Sequence, residues 1–205
     1  MKSNLDLQNK LHTVSDDGKV KRIRATVTEL LSLLGEDPSR EGLTETPRRV
    51  EQALTFFTNG YNKNLDKLVN GALFDTDYDE LVLIKDIDFY SLCEHHLLPF
   101  YGKCHVAYFP AKKIIGLSKI PKVVEMYTRR LQVQERLTNE IAEALQKKLE
   151  PRGVAVIMEA RHLCMMMRGV EKQNAVAVTS SMLGIFRESQ KNRTELLDLI
   201  RTDRL

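Results

Sequence analysis

Apolar residues recur at helical spacing in the first part of the chain. They return every three or four positions across residues 20–34, which predicts a helix, and Gly35 predicts its end. A second helix is predicted to begin at Thr46, a suitable N-cap that is followed by Pro47 at the first helical position. We therefore interpret residues 18–70 as an N-terminal helical region.

Later in the chain the pattern changes to that of strands. Runs of β-branched and aromatic residues predict four of them, at residues 81–90, 103–109, 154–167 and 175–186. Between the two strand pairs, Ser118 is a candidate N-cap for one helix, and an apolar stripe from Leu137 to Leu149 predicts another. A short closing helix is predicted at residues 193–201. This order indicates an α+β domain with a mainly antiparallel sheet over residues 71–205.

Composition and charge narrow the function classes. The sequence is 42% hydrophobic and 29% charged, which is typical of a soluble globular protein, and the polar, aperiodic residues 1–17 predict a flexible arm. A net charge of +3 is too small to favour nucleic-acid binding, but it leaves room for a local cationic pocket that takes a phosphorylated small molecule. We expect neither a nucleic-acid partner nor a membrane partner.

Cysteine usage and hydropathy predict a cytoplasmic location. Three cysteines, an odd number, do not make a disulfide framework, so a reducing compartment is expected. The N-terminus has no apolar stretch of signal-peptide length, and no segment approaches the roughly 20 apolar residues that cross a bilayer.

The stretch "CEHH" at residues 93–96 concentrates chemistry in a chain with only three cysteines and five histidines. Cys93 and His96 have the C-x-x-H spacing with which one tight turn presents a sulfur and an imidazole to the same metal ion. Cys104, in contrast, shares a predicted strand face with apolar residues, which favours core packing. The stretch is half of a metal site and needs a further ligand.

The third predicted strand supplies that ligand. Alternate residues of a strand share a face, so His162, Cys164, Met166 and Arg168 are expected to point together.

Cys93, His96 and Cys164 would then form a set of two thiolates and one imidazole. Three protein ligands with an open fourth position are how a catalytic zinc is built. His95 and His162 remain beside this set for proton transfer near neutral pH. Spacing alone leaves two interpretations open, a zinc hydrolase-type centre with no named substrate or polar residues next to a core strand.

Three long stretches resemble the GTP cyclohydrolase I family and occur in the expected order. They are "CEHHLLPFYGKCHVAYFP", "IIGLSKIPKVVEMYTRRLQVQERLT" and "HLCMMMRGVEKQNAVAVTSSMLG". The resemblance implies the tunnelling fold, an antiparallel sheet with two helices on one face, here with an N-terminal helical extension. It also implies a homodecamer, in which subunits pool their sheets into a barrel and active sites lie at subunit interfaces.

The chemistry implied by the resemblance is hydrolysis of GTP at guanine C8, with ring opening, release of formate and rearrangement to 7,8-dihydroneopterin triphosphate. The ligand set reached from spacing matches the family's ligands for one Zn²⁺ per subunit. His95 matches the histidine that protonates purine N7, and His162 matches a second catalytic histidine near the ribose. Ser118 matches a serine implicated in the ribose rearrangement.

The resemblance also implies the contacts that recognise GTP. Glu135 matches the carboxylate that accepts the guanine N1–H and 2-amino group, with Gln134 beside it. Lys119 and Arg168 match triphosphate contacts, and Arg49 is a less close match. The sequence does not reveal whether the product feeds folate or tetrahydrobiopterin synthesis, nor whether a regulatory protein binds.

Three alternatives predict other features. A tunnelling-fold relative that reduces a nitrile or cleaves a pterin side chain would use a different nucleophile or metal set. A binding module with a structural zinc would need a fourth ligand, from Cys104 or His105. A silent scaffold that only binds GTP would not need both His95 and His162. The paired "CEHH" and "HLC" motifs favour the enzyme.

Overall fold

The computed structural model describes residues 16–202. Within them the chain divides into two compact units, the first ending at Phe56 and the second beginning at Phe57. The domain boundary predicted after residue 70 stays a prediction. The arm predicted for residues 1–17 lies outside the described residues, apart from the first residues of the first helix.

In the described part of the first unit, residues 16–56, the chain forms two helices, as the apolar pattern predicts. Helix α1 (Asp16–Leu33) is followed by Gly35 in the left-handed region (φ +83°), which confirms this glycine as the stop signal. Helix α2 (Thr46–Phe57) begins at the predicted N-cap residue. The Arg24 guanidinium lies 3.0 Å from Oε2 of the buried Glu51, so an ion pair links the two helices.

The second unit contains the sheet and its helices. After a 3₁₀ turn at Asn59–Asn62, its elements in chain order are α3 (Leu65–Val69), β1 (Leu73–Asp75), β2 (Val82–Cys93), β3 (Pro99–Phe109), β4 (Lys113–Ile115), α4 (Lys119–Thr128), β5 (Leu131–Gln132), α5 (Gln134–Leu149), β6 (Gly153–His162), α6 (Leu163–Met166), β7 (Ala177–Gly184), α7 (Ile185–Glu188) and α8 (Gln190–Arg201). The short elements α3, β1, β4 and β5 were not expected, because so few residues carry no clear periodicity.

Five strands form the main sheet, in the order β5-β2-β3-β6-β7. Neighbouring strands of this sheet run antiparallel, except that β5 lies parallel to β2. Strands β1 and β4 make a separate antiparallel pair. The prediction of a mainly antiparallel sheet is therefore confirmed.

Helices α4 and α5 cover one face of the sheet and enclose the larger apolar core. In α5 the residues Leu137, Ile141, Leu145 and Leu149 recur every fourth position and are at most 3% exposed. Each such side chain contributes about 1.5–3 kcal/mol of transfer free energy when buried. The helix ends at Glu150, whose left-handed conformation (φ +48°) caps it. Two helices on one face of the sheet is the arrangement that the resemblance implied.

A second, smaller core lies on the opposite face. There Phe186 of α7 and Leu196 of α8 pack against Phe109 and Ile157 of the sheet. The sequence predicts the closing helix but not the face that it covers. None of the described helices is both long and apolar enough to span a bilayer.

The strand predicted at residues 154–167 is shorter than expected. Strand β6 ends at His162, and α6 takes the chain through Cys164. The physical reason is the end of the ladder: the partner strand β3 begins at Pro99, and its next residue, Phe100, already pairs with His162. The expectation that Cys164, Met166 and Arg168 continue one strand face is therefore wrong.

A bulge in β2 accommodates the buried ring of His105. Asp86 adopts φ +60° at the bulge, and its backbone N–H donates to His105 Nδ1 over 3.2 Å. Because Nδ1 accepts a hydrogen bond, the ring is held neutral. Burial lowers the pKa of His105, and the nearby Asp86 and Glu159 carboxylates oppose this only in part.

We expect His105 to make the fold sensitive to mild acid. Unfolded histidine binds a proton near its ordinary pKa of 6.5, whereas folded His105 binds one only at lower pH. The unfolded state therefore binds more protons in this range, and the free energy of unfolding falls as the pH is lowered through it.

The variant His105→Asn tests this expectation, because it keeps an acceptor for Asp86 but does not titrate. Its free energy of unfolding in urea should fall less than that of the wild type between about pH 7 and about pH 5. Parallel pH profiles for the two proteins would contradict the assignment.

Candidate metal centre and active site

The turn from β2 to β3, residues 94–98, follows Cys93 and carries the rest of the "CEHH" motif. We call it the ligand turn. Backbone hydrogen bonds close it tightly. Cys93 N–H donates to the Leu98 carbonyl over 2.9 Å, and Leu97 N–H donates back to the Cys93 carbonyl over 2.8 Å. Leu97 adopts the left-handed conformation (φ +56°) that closes the loop. The turn holds Cys93 and His96 together, as the C-x-x-H spacing predicts.

Strand register brings the third candidate ligand to this turn. Phe100, at the start of β3, pairs with His162 at the end of β6, and Cys164 follows on α6. One donor atom from each of Cys93, His96 and Cys164 lies within 4.8 Å of the other two. We call these residues the three-ligand cluster. A one-turn helix, rather than the predicted strand, presents Cys164.

The donors of the three-ligand cluster suit zinc. Two thiols and an imidazole are the ligand types that zinc prefers, and a tetrahedral ion with bonds of ~2.0–2.3 Å holds its donors about 3.5–4 Å apart. Without a cation the pKa of Cys164 is raised, first by burial and then by the neighbouring Cys93 sulfur. A bound cation reverses this preference, because a coordinating thiol loses its proton.

His95 and Arg168 flank the three-ligand cluster. His95 Nδ1 lies 3.8 Å from Cys93 Sγ. The rings of His95 and His96 meet edge to face, with their centroids 6.2 Å apart. Arg168 Nη1 lies 3.0 Å from His96 Nε2. The structure thus places a cation next to the ligand turn, where the resemblance implies a triphosphate contact.

His162 is held on two sides. Its ring stacks on Phe100, with centroids 4.6 Å apart and an interplanar angle of 2°. Its Nε2 lies 2.8 Å from Oε1 of Gln134, the first residue of α5. Burial lowers the pKa of His162, while the charge of the nearby Glu135 carboxylate opposes that shift.

Glu135 and Gln134 are neighbours in sequence with opposite environments. Glu135 is exposed in the first turn of α5, and the charge of its carboxylate acts to raise the pKa of His162. Gln134 is 3% exposed, and its amide nitrogen donates to the carbonyls of Met158 (3.1 Å) and Ala177 (3.0 Å). The guanine contact expected of both residues stays a prediction.

Glu94, for which the sequence suggests only a hydrogen bond that supports the metal ligands, anchors the ligand turn. Its carboxylate accepts a hydrogen bond from Arg136 Nη2, and this bond holds the pKa of Glu94 below its usual range. Arg136 also donates to the Leu131 carbonyl (3.1 Å) and to Gln132 Oε1 (3.0 Å). The Glu94 N–H donates to the Gln132 carbonyl over 3.0 Å. The turn is therefore tied to β5 and α5.

Sequence reasoning missed Arg136 and Gln132. Both stand in the polar stretch "LQVQER" at residues 131–136, and on sequence they look like solvated residues at a helix start. The signal in the sequence was Glu94, an acidic residue inside the metal motif. A carboxylate beside metal ligands needs a hydrogen-bond donor, which points to a basic residue elsewhere in the chain.

Ser118 and Lys119 stand at the start of α4. Ser118 occupies the predicted N-cap position and is exposed, but its hydroxyl makes no capping hydrogen bond. Lys119 Nζ donates to the Leu68 carbonyl over 2.8 Å. Arg49 lies on α2 in the first unit and is exposed. The catalytic and phosphate roles of these three residues stay predictions.

The start of α4 and the three-ligand cluster lie at opposite ends of the sheet. Ile115, just before α4, donates its N–H to Tyr108 Oη over 3.4 Å, and Tyr108 pairs with Val82. Val82 is the first residue of β2, whereas Cys93 is the last of its 12 residues. A strand of that length spans about 35 Å. One copy of the described chain does not bring Ser118 to the cluster.

Cys104 and His105 do not join the cluster. Cys104 is fully buried in the larger core, where burial raises its pKa, and this confirms its interpretation as a packing residue. His105 binds the bulge of β2. Within residues 16–202, the structure therefore offers no fourth protein ligand from these two positions for a closed structural zinc.

Fold and site together define a class of protein. The second unit is an α+β domain in which three zinc-type donors meet at one end of an antiparallel sheet, with two further histidines beside them. Three ligands and adjacent proton carriers are typical of a hydrolytic metal centre rather than a structural one.

The chain belongs to the GTP cyclohydrolase I family, whose sequence profile matches residues 23–201. It is accordingly an enzyme, a hydrolase with the GTP cyclohydrolase I function. The family resemblance drawn from the three motifs is thereby confirmed.

Individual relatives agree over most of their length. The chain is 62% identical to GTP cyclohydrolase 1 of Gloeobacter violaceus, over 85% of this chain and 81% of that protein. It is 60% identical to GTP cyclohydrolase 1 of Methylococcus capsulatus, over 84% of this chain and 94% of that protein. The human protein GTP cyclohydrolase 1 is 54% identical, over 88% of this chain and 72% of that protein.

Among solved structures, the crystal structure of the archaeosine synthase QueF-Like in the apo form is similar to part of the chain. The match has a TM-score of 0.43 at 18% identity and covers 51% of this chain and 93% of that chain.

We expect the Glu94–Arg136 pair to support metal affinity. Replacing Arg136 by alanine removes the donor that ties Glu94 to β5 and α5, so the ligand turn becomes less ordered. Loss of such supporting contacts typically weakens metal binding 10–100-fold. The dissociation constant for Zn²⁺, measured by competition with a chromophoric chelator, should therefore rise by about tenfold or more in Arg136→Ala.

The matched control is Lys148→Ala, which removes an ion pair between Lys148 and Asp66 elsewhere in the second unit (2.6 Å). It should leave the zinc affinity unchanged. Equal zinc affinities in Arg136→Ala and Lys148→Ala would show that the anchor does not support the site.

Proposed function

We propose that the chain catalyses zinc-dependent hydrolysis of GTP at guanine C8, with ring opening, release of formate and rearrangement to 7,8-dihydroneopterin triphosphate. The observation that carries this proposal is the meeting of Cys93, His96 and Cys164 within 4.8 Å of one another in a chain of this family. His95 and His162, placed at the side of that cluster, supply the proton carriers that the reaction needs.

The three-ligand cluster would hold one Zn²⁺ per subunit. The donor set supports zinc, because two thiolates and an imidazole disfavour the harder ions Mg²⁺ and Ca²⁺. Zinc, when bound there, supplies a Lewis acid that makes water nucleophilic near neutral pH.

We assign the proton transfers to His95 and His162. His95, on the ligand turn, would give a proton to guanine N7 as C8 is attacked. His162, stacked on Phe100 and close to Cys164, would serve the steps at the ribose. Its lowered pKa supports this role, because a neutral imidazole accepts protons near pH 7.

Glu135 is proposed to recognise guanine. A carboxylate accepts the N1–H and the 2-amino N–H of guanine together, and this edge pairing excludes adenine. The exposure of Glu135 and its position near His162 support the assignment. Gln134 precedes it and holds the start of α5 against the sheet.

Arg168, Lys119 and Arg49 are proposed triphosphate contacts. Arg168 lies beside His96, so its guanidinium is close to the centre where the nucleotide would react. Arginine also suits phosphate because its planar fork donates two parallel hydrogen bonds. Ser118 is assigned to the ribose rearrangement.

The positions of Ser118 and Lys119 support a site shared between subunits. The family resemblance requires these residues in the same site as Cys93, yet within one chain they lie at opposite ends of the sheet. A second copy would therefore supply them. We propose a homodecamer with active sites at subunit interfaces.

The proposed setting is the first step of pterin synthesis, leading to folate or tetrahydrobiopterin, in the cytoplasm. The three cysteines are free thiols, which supports a reducing compartment. No nucleic-acid or membrane partner is proposed.

The activity and the ligand set are tested together. Zinc-loaded protein incubated with GTP should release formate and, after oxidation, a fluorescent pterin, and a chelator should abolish both. Cys164→Ser should lose bound zinc and about 10²-fold or more of the activity, because an alkoxide is a poor replacement for a thiolate ligand. Cys104→Ala is the control and should keep one zinc per chain and its turnover.

Absence of pterin from fully zinc-loaded wild type would refute the proposed reaction. Full zinc content in Cys164→Ser would instead refute the ligand set and leave the reaction standing.

Metal content distinguishes the two proposed catalytic histidines, His95 and His162, from the metal ligands. His95→Ala and His162→Ala should each retain zinc, measured by elemental analysis, while turnover falls by about 10²–10⁴, the usual contribution of general acid–base groups. His105→Asn, a histidine outside the site, should retain both. Zinc loss in either alanine variant would mean that a ligand has been mistaken for a proton carrier.

A further inference from the structure

The side chain of Gln134 makes three hydrogen bonds to other parts of the chain. Its amide nitrogen donates to the carbonyls of Met158 and Ala177, over 3.1 and 3.0 Å, and its Oε1 lies 2.8 Å from His162 Nε2. The residue is only 3% exposed. A buried amide in this setting is held in one place, because each lost hydrogen bond would leave a buried polar group unsatisfied.

These contacts decide which way the amide faces. Carbonyl oxygens only accept, so the NH₂ end of Gln134 must face Met158 and Ala177. Both of its N–H groups are then used. The other end, Oε1, also only accepts, and it is the atom that faces His162.

The orientation of Gln134 in turn decides the tautomer of His162. An acceptor at 2.8 Å requires a proton on His162 Nε2, so in the neutral ring the lone pair available for chemistry is on Nδ1. The stack on Phe100, at an interplanar angle of 2°, fixes the plane of the ring.

We propose that Gln134 is a positioning residue that holds His162 as the Nε2–H tautomer and thereby assigns proton transfer to Nδ1. The effect on turnover rests on the proposed function, whereas the tautomer itself does not. This role differs from the substrate contact that the family resemblance suggested for Gln134, since the contacts of its side chain lie within the protein.

A purely structural role for Gln134 makes a different prediction. Its two donated hydrogen bonds join the start of α5 to β6 and β7. One helical turn later, the side chain of Thr138 also joins α5 to β7. Thr138 Oγ1 lies 2.7 Å from Thr179 Oγ1 of β7, and Thr138 is 1% exposed. Thr138→Val is thus a matched control. It loses this buried bond between α5 and the sheet and the bond that Thr138 Oγ1 donates to the Gln134 backbone carbonyl (2.7 Å), but it leaves the Gln134 amide and its contact with His162 in place.

The first measurement needs no variant of Gln134. Magic-angle-spinning NMR of zinc-loaded protein with ¹⁵N-labelled histidine shows which ring nitrogen carries a proton, whatever the size of the particle. The His162 signals are assigned by their loss in His162→Ala. Neutral His162 should be protonated at Nε2, and protonation at Nδ1 would overturn the proposal.

The second measurement compares Gln134→Met with Thr138→Val. Methionine keeps the length of the side chain but offers no amide, so the His162 signal should shift or split between tautomers. Turnover of GTP should fall by about 10–100-fold, a part of the usual acid–base contribution. The KM for GTP should stay within about twofold, as expected for an interaction that acts in the chemical step.

Thr138→Val should keep the wild-type His162 spectrum and the wild-type kcat. An unchanged His162 spectrum in Gln134→Met, or an equal loss of kcat in both variants, would overturn the positioning role. If the wild type showed the Nε2–H tautomer but made no pterin, the proposed function would fail while the assignment of the tautomer stood.

Discussion

The register between β3 and β6 is the constraint on which the site depends. It sets Phe100 opposite His162 and so delivers Cys164 to the turn that carries Cys93 and His96. Side chains alternate along a strand, so a slip of one residue would turn His162 to the opposite face of the sheet. What prevents the slip is the apolar packing farther along the same ladder, where Val106 pairs with Val156 and both are fully buried. The larger core thus fixes the geometry of the site.

Local parts of this arrangement could be predicted from the sequence. The C-x-x-H spacing needs only a tight turn, and the turn after β2 closes through the backbone of Cys93 itself. Runs of β-branched and aromatic residues, a candidate N-cap and one apolar stripe predicted the strands and the two helices, and the family resemblance implied that both helices cover one face of the sheet. The helical conformation at Cys164 could not be predicted. Strand β6 ends where its partner β3 stops pairing with it, and the residues of β6 do not indicate how long β3 is. The three predicted ligands still lie close together, because α6 begins immediately at that point.

Long-range polar contacts were the part beyond sequence reasoning. Glu94 meets Arg136 across 42 residues, and His162 meets Gln134 across 28 residues. In the sequence, Gln134 and Arg136 both resemble solvated residues in the first turn of a helix. Only the packing of α5 on the sheet turns Gln134 inward and leaves Glu135, the next residue, exposed. Roles taken from the family for Ser118 and Lys119 likewise say nothing of which copy of the chain supplies them.

The thiols of Cys104 and Cys164 show why burial alone does not make a ligand. Burial raises the pKa of both, but Cys104 is fully buried among apolar side chains and, within the described residues, is not one of the three donors that lie within 4.8 Å of one another. Cys164 is only partly buried and lies beside Cys93 and an exposed imidazole. A bound cation would favour the deprotonated thiols, so Cys93, whose sulfur raises the pKa of Cys164, would bind the ion together with it.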